Sequence, residues 1–410
     1  MLAKVPMAVL LASTLTSIVG QTPADASEGT AATVPDAVIR ERPDRTWMVA
    51  GTVLGMARAG GTLYIGGSFS ELLPPRGSSA SSIRAHNLAA IDLRTGDPVR
   101  SWRPRASGPD AVVNALEVAD GRVYVGGAFD RLAGVPRQNL GAVTTVDGDA
   151  VRGFAPSVSG SVYSLLAAQR LLYAGGAFGR ADGASRAKLA AWRLRSGELS
   201  RAWRPRALDG PVRDLALARG GGSIYLAGAF SGMAQDGRTF TRESLAKVDA
   251  SNGALRDWHT PVGTVGSPQT AWSVEVADDR LHGGFGRGPN FAASFRAVGD
   301  VGPRIWRYAL PGNVQTVELS RDGSRLFLGG HFGLAVLDDR ECGQDLRGLI
   351  SVDPATGEPL CDWIPQLAPF DSNFEGPWAM TAVGGELWVG GGWRTIDGVE
   401  QRGLARFDIG

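Results

Sequence analysis

Apolar and polar positions along the chain repeat one short phrase: an apolar–aromatic–apolar triplet, two small residues, then an aromatic one position further on. It reads Leu63-Tyr64-Ile65-Gly66-Gly67-Ser68-Phe69, then Val123-Tyr124-Val125-Gly126-Gly127-Ala128-Phe129, then Leu172-Tyr173-Ala174-Gly175-Gly176-Ala177-Phe178. Further copies are Ile224-Tyr225-Leu226-Ala227-Gly228-Ala229-Phe230, Leu326-Phe327-Leu328-Gly329-Gly330-His331-Phe332 and Leu387-Trp388-Val389-Gly390-Gly391-Gly392-Trp393, with a worn copy at Leu281-His282-Gly283-Gly284-Phe285. Seven copies spaced by roughly 45 to 65 residues match the length of a four-stranded propeller blade.

The surrounding sequence supplies the other strands. Before the triplet lies a short apolar strand ending in a turn, as in Ala115-Leu116-Glu117-Val118 followed by Asp120-Gly121, a tight hairpin signal. We name this strand A and the triplet strand B. Strand C follows a polar loop (88–93, 189–194, 245–248, 349–352) and leads into turns such as Arg94-Thr95-Gly96-Asp97. A fourth strand, D, is expected around Trp102, Phe154, Trp203, Trp258, Trp306 and Trp363, where a residue recurring at one register reads as packing between facing sheets. The last repeat stops at its strand C. The Arg45-Thr46-Trp47 segment matches Arg100-Ser101-Trp102 and Arg201-Ala202-Trp203, so an N-terminal strand around Trp47 is expected to complete the last blade and close the ring. The fold class expected is therefore all-β, a seven-bladed β-propeller of four-stranded antiparallel blades spanning residues 44–410.

The Leu-Tyr-x-Gly-Gly-x-Phe core, the Asn87-Leu88-Ala89-Ala90 and Asn139-Leu140-Gly141-Ala142 stretches and the Thr-Gly turn resemble the delta-60 repeats of bacterial secreted β-propellers, once called a domain of unknown function. The matched residues are structural, so this resemblance implies a fold and no activity. A looser resemblance joins Asp92-x-x-Thr95-Gly96 and Trp102 to quinoprotein-like propeller repeats. The adjacent-cysteine pair common in those enzymes is missing, and no cofactor is expected.

The remaining expectations come from termini and composition. Lys4, the apolar stretch from Val5 to Val19 and the Ala24-Asp25-Ala26 site read as a signal peptide over residues 1–26, followed by a linker over 27–43. A secreted, extracellular location follows, and there Cys342 and Cys361, the two cysteines of the chain, read as one disulfide. With 57 glycines and a formal net charge of +1, the chain has many turns and no basic or acidic face for nucleic acid. No later stretch is apolar enough for a membrane-spanning helix, and a monomer is expected.

Function is sought where the repeat breaks. Two residues before the core position of strand A (Met56, Leu116, Leu165, Leu215, Val274, Val317, Met380) stand Leu54, Asn114, Tyr163, Arg213, Trp272, Gln315 and Trp378. The core position precedes the Tyr slot by eight residues in five repeats and by ten in two, an even difference that preserves side-chain facing. One expectation is a polar-aromatic pocket at the channel mouth, where arginine and amides grip carboxylates or hydroxyls and tryptophans cover apolar faces. The other is that the same side chains only fill the mouth or the clefts between blades. No metal-ligand cluster and no hydrolase motif occurs, and His282 and His331 read as packed. The leading expectation is a non-enzymatic binding or scaffold module for an extracellular glycan, peptide or protein. The alternative is a hydrolase or lyase acting on polysaccharide or another secreted substrate, using loop carboxylates such as Asp110, Asp209, Asp371 and Glu375 near the mouth.

Overall fold

The structure, a computed structural model, describes residues 39–40, 42–261, 269–333, 342–343, 345–369 and 375–410. The expected signal segment, the first part of the linker and Asp371 lie outside the described residues. All regular structure among the described residues is β, in antiparallel sheets of two to four strands. No helix among these residues is long and apolar enough to cross a membrane.

Seven of the sheets share one plan, strand A pairing with strand B and strand B with strand C. Strands A are Met48–Ala59, Val112–Ala119, Val162–Ala168, Val212–Leu217, Thr270–Ala277, Asn313–Leu319 and Gly376–Val383. Strands B are Thr62–Leu73, Arg122–Ala128, Leu171–Gly176, Ser223–Gly228, Arg280–Gly286, Leu326–His331 and Glu386–Gly392. Strands C are Leu88–Asp92, Leu140–Thr144, Leu189–Arg193, Leu245–Asp249, Phe291–Arg296, Leu349–Val352 and Leu404–Asp408. In every unit the core residue of strand A pairs with the residue after the Tyr slot, as in Leu116↔Val125 and Leu215↔Leu226. The longer hairpins therefore keep the register, as their even length requires.

Strand D corrects the expectation of four-stranded units. It is a strand in the fifth unit (Arg304–Ala309) and a two-residue pair in the sixth (Pro359–Leu360). In the first four units it shrinks to single bridges, Ile91↔Pro98, Val143↔Ala150, Trp192↔Leu199 and Val248↔Leu255. The turn before it is set by an aspartate: Asp92 Oδ1 accepts from the N–H groups of Arg94 and Thr95 at 2.9 and 3.0 Å. Asp249 and Asp353 repeat this arrangement. The Asp-x-x-Thr-Gly phrase is thus a turn device. A proline two residues past the aromatic (Pro104, Pro156, Pro205, Pro365) removes the next ladder donor.

The strand D aromatics nevertheless join one unit to the next. The rings of Tyr64 and Trp102 lie 4.9 Å apart, those of Tyr173 and Trp203 5.0 Å, and those of Phe327 and Trp363 5.0 Å. At the first of these seams the polar ends reach the close of the next unit's strand C: Tyr64 Oη donates to the Thr145 carbonyl at 2.9 Å, and Trp102 Nε1 to the Thr144 carbonyl at 2.9 Å. Tyr173 and Trp203 do the same to Ala250 and Asp249. At these two seams aromatic area and satisfied polar tips are combined, whereas Trp363 Nε1 has no partner among the described residues.

The first glycine of each phrase sets the distance between neighbouring units. A Cβ on Gly126 would stand 2.6 Å from Val162 Cγ1 of the next strand A, and one on Gly175 2.7 Å from Val212 Cγ1. In the fourth unit Ala227 replaces this glycine, and the facing valine is replaced by Ala271, so the added methyl is met by a smaller partner. The worn fifth copy is out of step by one residue: Gly284 takes the first glycine slot, and Phe285 falls in the second, opposite Ala271 and 4.6 Å from Phe291.

The first and last described segments meet. Strand A of each unit packs on strand A of the next, and Gly376–Val383 packs on Met48–Ala59. A Cβ on Gly390 would stand 2.6 Å from Val53 Cγ1, as Gly126 does to Val162. The segment before Met48 runs antiparallel along the outer edge of Leu404–Asp408, with the Asp44 N–H donating to the Arg406 carbonyl at 2.8 Å. Trp47, buried, donates from Nε1 to Asp97 Oδ1 of the first unit at 3.0 Å. Cys342 and Cys361 are joined in a disulfide.

Candidate functional site

The second glycine of the phrase shapes the site. A Cβ there would stand 2.0 Å from the Thr52 carbonyl oxygen at Gly67, 2.1 Å from that of Val112 at Gly127 and 2.0 Å from that of Asn313 at Gly330. This close approach accompanies a slip in the A–B ladder of six units, and the fifth, with Phe285 in that slot, slips at the same place. The slips fall between Val53/Gly55, Val113/Ala115, Val162/Ser164, Val212/Asp214, Ala271/Ser273, Val314/Thr316 and Pro377/Ala379. The skipped residues are Asn114, Tyr163, Arg213, Trp272, Gln315 and Trp378, with Leu54 in the first unit. Each residue singled out by its register in the sequence is therefore the extra residue of a β-bulge, a device that bends a strand and re-aims a side chain.

All of them line one cavity of about 360 Å³, into which every strand A contributes. Four make a continuous stack. The Arg213 guanidinium lies 4.3 Å from the Tyr163 ring centroid and 4.7 Å from that of Trp272. Trp272 in turn meets Trp378 edge-on, with centroids 5.8 Å apart and planes at 78°. Arg287, from the loop after the fifth strand B, stands 5.9 Å from the Trp272 ring, so two guanidinium groups share one indole. Neither has an ion-pair partner among the described residues. Asn114 Nδ2 donates to the Val162 carbonyl at 3.1 Å and is committed to the next strand A. Three atoms of the girdle, Arg213 Nε, Trp272 Nε1 and Gln315 Oε1, are buried with no hydrogen-bond partner among the described residues.

Carboxylates line the same cavity, and sequence reasoning missed them. Glu117, Glu275 and Glu318 occupy the position after the core residue of strand A; Asp214 occupies the one before it. Each accepts from a backbone N–H of the next strand A: Glu117 from Ala167 at 3.3 Å, Asp214 from Val274 at 2.9 Å, Glu275 from Leu319 at 2.6 Å and Glu318 from Ala382 at 2.7 Å. Inner strands of neighbouring sheets do not pair with one another, so these acids satisfy N–H groups that a sheet edge leaves open. Burial pushes the carboxyls of Glu117 and Glu275 up to about 7 and that of Asp214 up to about 6. Glu318 is raised well above the carboxylate range, by burial first and then by Glu275. The available signal was an acid at one strand A register in three units, a polar side chain where only apolar ones pack cheaply.

The loop carboxylates weighed for acid–base chemistry are placed elsewhere. Asp110 and Asp209 are exposed, Asp209 accepting from the Ser231 hydroxyl, and neither they nor Glu375 line the cavity. Asp371 lies outside the described residues. His282 fills its Tyr slot, buried 6.0 Å from the Trp306 ring, and burial pushes its imidazole down to about 4. Among the described residues, no group of three or more His, Cys, Asp or Glu is arranged to hold a metal ion.

No family model matches the chain, and no curated protein matches it. Among solved structures, the chain is similar to the computationally designed Ika8 protein, at 11% identity over 88% of this chain and 92% of that one, with a TM-score of 0.49. It is also similar to U3-55K, at 10% identity over 68% of this chain and 73% of that one, with a TM-score of 0.46. At such scores neither likeness bears on architecture or activity.

Proposed function

We propose that the chain is a secreted seven-bladed β-propeller, closed by its N-terminal strand, that binds an extracellular glycan, peptide or protein at the entrance of its central channel. Several observations support the architecture. The packing of strand A on strand A returns from the seventh unit to the first, Trp47 stands where a strand D aromatic is due, and the repeat phrase resembles delta-60 propellers. The leader-like segment 1–26 and the Cys342–Cys361 disulfide support export. The binding reading is carried by one observation, the Tyr163–Arg213–Trp272–Trp378 stack on a cavity that leaves polar atoms without partners. Buried polar groups are ordinarily satisfied, and a girdle of half-buried aromatics with convergent donors suits a ligand site.

The hydrolase or lyase reading finds less support. The perturbed acids in the channel each hold a backbone N–H of a neighbouring strand, a structural duty that accounts for their burial. The binding reading is tested with glycan and peptide arrays probed by the wild-type chain and a Trp272→Ala/Trp378→Ala double variant. The variant keeps its fold by circular dichroism and loses the wild-type ligand. Undiminished binding by the variant assigns the ligand to another surface.

A further inference from the structure

The girdle carries a charge pattern that narrows the ligand class. Arg213 is stacked on both faces, between Tyr163 and Trp272, and this leaves the in-plane N–H donors of its fork as the groups able to engage a partner. Its Nε is buried without a partner, and no carboxylate among the described residues pairs with it. Arg287 brings a second cation to the same indole. The nearest acids of the cavity are committed to backbone N–H groups of neighbouring strands, with Asp214 bonded to Val274 and Leu215. Glu275 and Glu318 stand three residues along their strands from Trp272 and Gln315, about 10 Å at the rise of an extended chain. A partly desolvated guanidinium with no counterion is costly, and a bound anion offsets that cost.

Resting on the channel-entrance reading, we propose that the site takes a carboxylate-bearing saccharide of the uronic acid type. The carboxylate meets the Arg213 fork beside Arg287, and the C–H face of the ring covers one of the two indoles, Trp272 or Trp378. Hydroxyls supply the partners that Trp272 Nε1 and Gln315 Oε1 lack. Two indoles at 78° offer flat faces of the kind a pyranose ring covers, and a cavity of about 360 Å³ sits at the lower end of small-molecule sites, room for a terminal sugar. An acidic peptide would meet the Arg213 fork with its carboxylate but brings no polyhydroxylated ring to cover an indole and partner Trp272 Nε1 and Gln315 Oε1 together.

The experiment is an equilibrium titration of the mature chain, by calorimetry and tryptophan fluorescence, with tetragalacturonate and tetraglucuronate and with the methyl ester of each. The esters keep shape and hydroxyls and remove only the charge. The expected result is that at least one acid form binds at least tenfold more tightly than its ester. Arg213→Gln then removes this tenfold preference, and Arg213→Lys restores part of it. Equal binding of acid and ester overturns the anion assignment and leaves a sugar site standing. Arg213-dependent binding of an acidic peptide, with no saccharide bound, overturns the saccharide class. Absence of binding by every probe, together with blank arrays, overturns the channel-entrance reading itself. The acid–ester comparison uses the wild-type chain alone and stands even if the Arg213 variants fold poorly.

Discussion

Transplanting the Ala227·Ala271 pair into another seam tests the packing between neighbouring units. At the seam of the second and third units, a Cβ on Gly126 would stand 2.6 Å from Cγ1 and 3.1 Å from Cβ of Val162, which is fully buried. Gly126→Ala alone forces a methyl into that contact, and overpacking of this kind costs about 1–3 kcal/mol, reduced by the roughly 0.5–1 kcal/mol gained when a strand glycine becomes alanine. Val162→Ala alone removes two methyl groups from a buried site, about 1.6 kcal/mol in transfer at ~0.8 per group, with a cavity term in addition. The double variant recreates the arrangement found at Ala227 and Ala271. Its net change is one methyl lost and one glycine constraint relieved, so it lies within about 1 kcal/mol of wild type. Denaturant unfolding followed by circular dichroism and intrinsic fluorescence gives the four stabilities of the cycle. A coupling energy above about 1 kcal/mol, favouring the double variant, is expected for residues in contact. Additive losses would mean that Gly126 and Val162 do not meet across a seam.

Two further outcomes follow from Glu117 and from the disulfide. Glu117 is raised from 4.5 to about 7 by burial, so folding favours its protonated form; the stability it allows is complete below about pH 4.5 and is lost as pH rises through 7. Glu117→Gln therefore flattens the fall in unfolding free energy between pH 5 and pH 8, by at most about 3 kcal/mol, and an unchanged pH slope would refute its burial. The Cys342–Cys361 crosslink spans a sequence separation of 19, so a double serine variant loses about 3 kcal/mol in the chain-entropy model, read as a lower midpoint in guanidinium chloride. A midpoint equal to that of the oxidised wild type would show that the crosslink adds nothing.

The sequence made the repeat readable because one residue type serves one geometric need in nearly every unit: glycine at the close approaches, tyrosine and tryptophan at the seams. It overstated strand D, since a tryptophan following a single bridge carries the same apolar pattern as one within a strand, and the Pro104-type breaks come just after it. The girdle residues were found through register, yet the bulge that makes them special was hidden. In six units its signature in the sequence is the second glycine of the phrase, which belongs to the opposite strand; in the fifth Phe285 takes that slot. Glu117, Glu275 and Glu318 escaped notice because the open N–H groups they satisfy exist only once neighbouring inner strands are assembled. Arg287 escaped because a loop residue with a positive φ of 67° has no fixed facing in a strand pattern.

The proposed site depends on a closed ring, so hydrogen exchange where residues 40–49 meet residues 402–408 is the most direct measurement. The Asp44 and Val49 amides donate to the Arg406 and Arg402 carbonyls at 2.8 and 3.0 Å. Mass spectrometry of exchange into the chain should find the peptide covering 42–50 protected to the same degree as the one covering Leu404–Asp408, with both opening together in denaturant. Rapid exchange of 42–50 beside a protected Leu404–Asp408 would contradict the closed ring and, with it, the shared channel entrance.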